Sequence, residues 1–149
     1  MNDCKEDFFG KLLAQLHIKL FHLLTKAFQK EGADLTFEQF ILLNIILKNE
    51  GITQQELAYL MNKDKTSIAR AINVLENRHK VVRIVLKEDK RKRGLYVTKE
   101  GRSHLEKIRP VFKQLKEKIE KSIDEEEMRK LKAMISKIDR ELDFIEERL

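Results

Sequence analysis

Between Thr53 and Thr98 the hydrophobic period of the chain changes from that of a helix to that of a strand, and residues that stop or start elements mark each change. Thr53 with Glu56 three residues later has the form of a capping box, in which each side chain satisfies the other's backbone N–H. It predicts a short helix from Gln54 to Met61. Asn62 and Lys63 make a turn, and Asp64 caps a further helix over about Lys65 to Arg78. In that helix Ile68, Ala71, Ile72 and Leu75 fall on one side. Lys65, Thr66, Ser67, Arg70 and Asn73 fall on the other. Two short helices joined by a tight turn, the second polar on its outer face, form a helix-turn-helix. Val81 to Leu86 and Gly94 to Thr98 then read as β-strands. A strand pair following such a helix makes a winged helix.

The loop between the strands, Lys87-Glu88-Asp89-Lys90-Arg91-Lys92-Arg93, is basic at five of its seven positions. From Met61 to Arg102 there are 13 Lys/Arg against 5 Asp/Glu, a net of +8, whereas the whole chain carries only +6. The rest of the chain is therefore slightly acidic, and the positive charge is concentrated where the groove-shaped element lies. That distribution is the electrostatic footprint of a duplex-binding protein. The expected partner is double-stranded DNA.

The flanks are helical. From about Lys5 to Lys30, Phe9, Leu13, Leu16, Leu20, Leu23 and Ala27 recur at spacings of four and three, and Leu12, Leu24 and Phe28 widen the stripe, so two buried faces are expected. Gly32 ends this helix. Thr36 with Gln39 forms a second capping box, opening a helix from Phe37 to Lys48 that is apolar nearly all round and so belongs in the interior. Two long helices end the chain. One carries Leu105, Ile108, Phe112, Leu115 and Ile119, with Pro110 as an expected kink. The other, capped by Asp124, carries Met128, Leu131, Ile135, Ile138, Leu142, Ile145 and Leu149 in a coiled-coil-like stripe. A single core could absorb that stripe; pairing with a second copy is the preferred reading, since dimeric readers suit two-fold symmetric sites.

Composition narrows the classes further. At 149 residues with 42% hydrophobic content the chain can bury a sizeable core, and one Pro with five Gly argues against an all-β fold. No apolar run approaches a membrane span, and the N-terminus lacks a basic-then-apolar signal layout. No membrane association and a cytoplasmic location are expected. Cys4, the lone cysteine, reads as an incidental thiol. His17, His22, His79 and His104 form no pair with helical metal-ligand spacing, so no metal site is expected. No phosphate loop, nucleophile constellation or cofactor fingerprint is present, and neither a cofactor nor enzymatic activity is expected.

Four groups of residues resemble the MarR family of bacterial winged-helix transcriptional regulators. Leu35-Thr36 with Gln39 is similar to the family's start of its second helix. Thr53-Gln54-Gln55-Glu56-Leu57-Ala58 is similar to the helix before recognition. Asp64-Lys65-Thr66-Ser67 through Leu75-Glu76 resembles the recognition helix, and Asp89-Lys90-Arg91 the wing motif, followed by Val97-Thr98-Lys99-Glu100-Gly101-Arg102. Two positions depart from the pattern. The family usually has Gly where the recognition helix ends in left-handed backbone space, and Arg78-His79-Lys80 stands here; His takes that conformation at a cost, so a differently shaped turn is expected. Gly94 beside the wing is expected to loosen it or permit a bulge.

The resemblance implies a mainly α fold with a small β-wing: a winged helix-turn-helix domain plus long N- and C-terminal dimerisation helices. Residues 1–149 would form a single MarR-type domain, with 5–34 and 103–149 as dimerisation helices and 35–102 as the DNA-binding lobe. The expected DNA-binding residues are Thr53, Gln54, Lys65, Thr66, Ser67, Arg70, Asn73, Asp89, Lys90, Arg91, Lys92 and Arg93. In the family's manner, Thr53 and Gln54 would meet phosphate and Arg91 would probe the minor groove, steadied by Asp89. The implied function is that of a homodimeric, sequence-specific repressor of a pseudo-palindromic operator, relieved by a small aromatic or anionic effector. Leu12, Leu16, Leu24, Phe28 and Phe40 are apolar beyond what one stripe requires and are the candidate effector-binding residues. Two other readings stay open at this point: an architectural winged-helix protein with little sequence preference, and a protein-interaction module using the long helices.

Overall fold

The computed structural model describes residues 8–149. Cys4 and the expected helix start at Lys5 lie outside the described residues. Two compact units are present, Met1–Phe112 and Lys113–Leu149. The element order is α1 (Phe9–Lys30), α2 (Phe37–Lys48), α3 (Gln54–Leu60), α4 (Lys65–Asn77), β1 (Val81–Val85), β2 (Arg93–Val97), α5 (Lys99–Glu120) and α6 (Glu125–Glu146). α5 contains Pro110 within its helical span.

In the first unit α2 is the central element. It buries Phe37, Phe40, Leu42, Leu43 and Ile46, which its nearly uniform apolar surface demands. Leu24 and Phe28 of α1 are buried with it. An aromatic cluster fills this region: Phe40 lies 5.3 Å from Phe28 and 5.2 Å from Phe112 between ring centroids, and Phe37 meets Phe21 edge-on at 4.7 Å. Leu57 of α3, Ile68, Ile72 and Leu75 of α4, and Leu95 of β2 complete a continuous apolar interior for the lobe.

The helix starts are set by local chemistry. Thr36 accepts a hydrogen bond from the Gln39 N–H at 3.1 Å and donates its own N–H to Gln39 Oε1 at 3.0 Å. Thr53 with Glu56 and Asp124 with Glu127 repeat this reciprocal arrangement. Each box satisfies N–H groups that the first turn of a helix leaves without partners.

β1 and β2 pair antiparallel from Val81↔Val97 to Val85↔Arg93. Ile52 adds an isolated bridge to Leu95 on the other side of β2, so the segment entering α3 is stitched to the wing. Gly94 holds an ordinary place in the ladder opposite Ile84 rather than a bulge. A Cβ on Gly94 would lie 2.7 Å from the Gly51 carbonyl oxygen and 2.7 Å from Leu86 Cδ2. Close approach of backbones is therefore what requires glycine there, and it tightens the wing base instead of loosening it.

The turn after α4 also differs from expectation. His79 takes the left-handed conformation itself, at φ +57°. Its N–H donates to the Glu76 carbonyl at 2.9 Å, and its own carbonyl accepts from Thr98 Oγ1 at 2.6 Å. These bonds hold the chain in the glycine-like path and the turn keeps its shape, so the side chain bears a steric cost.

Two helices carry apolar residues that the chain does not bury. On α1, where two buried faces were expected, only Leu24 and Phe28 are buried; Phe9, Leu12, Leu13, Leu16 and Leu23 are exposed. The buried pair lies in the C-terminal part of α1, in the stretch that meets α2, and the stripe towards the N-terminus faces solvent. In the second unit no residue of α6 is buried, and Leu131, Ile135, Leu142 and Ile145 are exposed along its stripe.

Because every hydrogen bond at His79 is made by its backbone, His79→Gly should stabilise the protein by about 0.5–1 kcal/mol, after allowing for the freer unfolded chain. Urea unfolding checks this: a raised midpoint at unchanged slope is expected, and a lowered midpoint would mean the imidazole contributes more than its strain costs.

Candidate nucleic-acid interface

α4 presents its charged side because its other side is anchored. Ile68, Ile72 and Leu75 are buried, which leaves Lys65, Thr66, Ser67, Arg70 and Asn73 exposed along the opposite surface. Asp64 fixes the start of the helix. Its Oδ1 accepts the Ser67 N–H at 2.8 Å and its Oδ2 accepts the Ser67 hydroxyl at 2.5 Å. The Ser67 proton is thus committed, and its oxygen retains only acceptor capacity towards outside groups.

Between α3 and the wing lies a cleft of about 1110 Å³, lined by Thr53, Gln54, Gln55, Tyr59, Arg91, Lys92 and Arg93 among others. It brings the start of α3 and the wing tip to one surface. Tyr59, not anticipated from the sequence, is 86% exposed there. Thr53 is less available than expected, because its hydroxyl and its N–H both donate to Glu56 Oε2 at 2.8 Å. Asp89 and Lys90 lie in the wing turn outside the cleft lining.

Asp89 orders the tip through the backbone. Its Oδ1 accepts the Arg91 N–H at 3.0 Å, and its carbonyl accepts the Lys92 N–H at 2.9 Å. The Arg91 guanidinium is left exposed. Arg93, expected in the loop, opens β2 instead. Among the described residues, ion pairs engage none of Lys65, Arg70, Lys90, Arg91, Lys92 and Arg93. Six cations without internal partners line α4 and the wing, the arrangement that neutralises phosphate and releases its counterions.

Arg83 was missed. It sits in β1 with its side chain 16% exposed, pairs with Glu76, and donates from Nε to Gln54 Oε1 at 3.0 Å and from Nη2 to Asn73 Oδ1 at 2.7 Å. One side chain thereby joins α3, α4 and the wing. The strand period held the signal: a repeat of two places Arg83 on the same side as buried Val81, where a charge needs partners.

The five candidate effector residues are not brought to one place. Leu12 and Leu16 are exposed on α1 at 60% and 63%. Leu24, Phe28 and Phe40 belong to the packed interior. Phe40 also lines a cavity, an open one of about 430 Å³ formed with Phe37, Ile41, Asn44, Ile45, Lys48, Arg109 and Phe112.

A helix-turn-helix with an unpaired cationic outer face, followed by a two-stranded cationic wing, defines a winged-helix nucleic-acid-binding lobe. Residues 33–92 match the model of the MarR family. The HTH-type transcriptional regulator BilQ of Clostridium symbiosum is 31% identical over 110 residues, covering 74% of this chain and 75% of that protein. Among solved structures, Staphylococcus aureus MepR in its DNA complex superposes with a TM-score of 0.82 at 21% identity, over 92% of this chain and 99% of that one. A mutant of Escherichia coli MarR complexed with operator DNA gives 0.80 at 24% identity, over 87% of this chain and 91% of that one. The chain belongs to the MarR family of DNA-binding transcriptional regulators. No helix among the described residues is long and apolar enough to cross a membrane.

The caps at the interface titrate. The hydroxyl and then the N–H of Ser67 hold the Asp64 carboxyl below its ordinary range, and the N–H and hydroxyl of Thr53 do the same for Glu56. A carboxylate with a folded pKa below its unfolded one contributes stability that is complete above the unfolded value, about 4, and is lost as pH falls through the folded value. Asp64→Asn keeps a capping oxygen without the ionisation. The stability difference between the two proteins in urea should therefore shrink as pH is lowered from about 6 to 3. A difference independent of pH would mean that the Asp64 charge contributes nothing to the cap.

Proposed function

We propose that this protein is a homodimeric repressor that binds a pseudo-palindromic operator and is released by a small aromatic or anionic molecule. The observation that carries the DNA reading is the set of unpaired cations on α4 and the wing. Lys65, Arg70 and the Thr66 and Ser67 hydroxyls meet base edges in the major groove, where Lys and Arg read guanine and hydroxyls read with little discrimination. Arg91 enters the minor groove, most favourably where it is narrow and A·T-rich. Lys90, Lys92 and Arg93 meet phosphates. Residues 35–102 act as the DNA lobe and 1–149 as one functional domain. The protein acts on DNA in the cytoplasm and carries out no catalysis.

The exposed stripes of α1 and α6 support the dimer. Two long helices that leave Leu12, Leu16, Ile135 and Leu142 in water need a partner of the same kind, so residues 5–34 and 103–149 supply the dimerisation helices. Two lobes on a two-fold axis then place their recognition helices about 34–36 Å apart, one helical turn of DNA.

The cavity beside Phe40 supports the release step. Phe37, Phe40 and Phe112 offer aromatic walls, while Lys48 and Arg109 line the same space and take part in none of the described ion pairs. Aromatic surface with a few placed charges suits a small aromatic carboxylate. Occupation there would favour a lobe spacing unsuited to DNA.

Sedimentation velocity should give a dimer for the wild type, and Leu16→Glu with Leu142→Glu should give monomers whose DNA affinity is at least about 100-fold lower, as expected when one of two linked contacts is lost. A wild-type monomer bound to DNA with unchanged affinity would overturn the dimeric reading. In the same assay a panel of benzoates should weaken DNA binding of the wild type but not of Lys48→Ala with Arg109→Ala. If no member of the panel shifts either protein, the release step fails and the DNA reading stands.

A further inference from the structure

Gln54 and Asn73 are carboxamides, which can offer either an oxygen acceptor or an NH2 donor to the outside. DNA phosphates accept hydrogen bonds and donate none, so an amide presenting its oxygen would repel them. Arg83 bears on both residues. Its guanidinium has five N–H donors and no acceptor. Facing it, each amide must turn its oxygen inward, as Gln54 Oε1 does at 3.0 Å and Asn73 Oδ1 at 2.7 Å. The Gln54 Nε2 and Asn73 Nδ2 groups are then directed away from Arg83, and neither donates to another group among the described residues. Gln54 lines the cleft shared with Arg91, Lys92 and Arg93, and Asn73 is exposed on α4. Glu76 pairs with the same guanidinium, so Arg83 is neutralised inside the lobe and has no remaining need of a phosphate.

We propose that Arg83 is a positioning residue for DNA binding: it holds Gln54 and Asn73 oxygen-inward, so that both amides present NH2 donors to backbone phosphates. This inference rests on the DNA reading of α4 and the wing, and adds to it the device that polarises two neutral contacts. Those contacts carry no charge and release no counterions, so they strengthen binding without steepening its salt dependence. Phosphate carries no sequence information, and the effect is the same on any duplex.

The test uses the full-length protein and a random-sequence 30-base-pair duplex at low salt, about 50 mM, with affinity followed by fluorescence anisotropy. Arg83→Met should weaken binding about tenfold, as expected for two misdirected hydrogen bonds. Arg83→Lys keeps a charge for Glu76 but cannot span both amides, and it should show the same loss if the Met variant fails to fold. The salt slope should be unchanged in either variant. In a Gln54→Ala, Asn73→Ala background, replacing Arg83 should have no further effect. A loss that persists in that background, or a slope shallower by about one, would overturn the proposal, the first pointing to a purely structural arginine and the second to a direct phosphate contact. If the wild type itself binds no duplex at low salt, the DNA reading falls first and takes this inference with it.

Discussion

The burial of α2 is the constraint on which the lobe depends. A helix carrying Phe37, Phe40, Leu42, Leu43 and Ile46 is apolar nearly all round, so other elements must cover most of it. Coverage by α1 on one part and by the α3–α4–wing segment on another leaves the recognition helix on the outside, with its polar residues free. The apolar interior thus orients the cationic surface without touching it. Replacing a central residue such as Leu43 would cost about 2–5 kcal/mol and would disturb DNA contacts only through the fold.

Polar chemistry does the finer positioning. Capping boxes begin α2, α3 and α6, and Asp64 begins α4. At the interface these caps also decide which groups remain available. Thr53 spends its donors on Glu56, and Ser67 spends its proton on Asp64. Arg83 works in the opposite direction, occupying the oxygens of Gln54 and Asn73 and leaving their donors outward. The DNA surface is therefore a set of chosen donors and unpaired cations, and residue type alone does not define it.

Most of the fold was legible because its signals are local. The caps at Thr36, Thr53, Asp64 and Asp124 stand where the sequence places them, and the strand limits differ by single residues. The strand pattern and the basic loop located the wing, and the structure supplies the details of this region. Asp89 steadies Arg91 through the backbone N–H, Gly94 serves close approach, and His79 keeps a glycine-like turn. Arg83 escaped notice because its partners lie 29, 10 and 7 residues away and only the folded lobe brings them together. The apolar excess on α1 is divided within the chain. One part, near Leu24 and Phe28, is buried, another, Phe9 to Leu16, is largely exposed, and Leu20 and Phe21 are half-buried between them, a distinction that periodicity cannot make.

Sequence-specific, two-fold symmetric DNA binding can be measured by selecting genomic fragments with the purified protein at near-physiological salt and sequencing what is retained. A few fragments that share a two-fold symmetric site, with half-sites one helical turn apart, should be enriched, and Arg70→Ala should lose that enrichment. Retention of fragments with no common motif, or enrichment that survives Arg70→Ala unchanged, would contradict it.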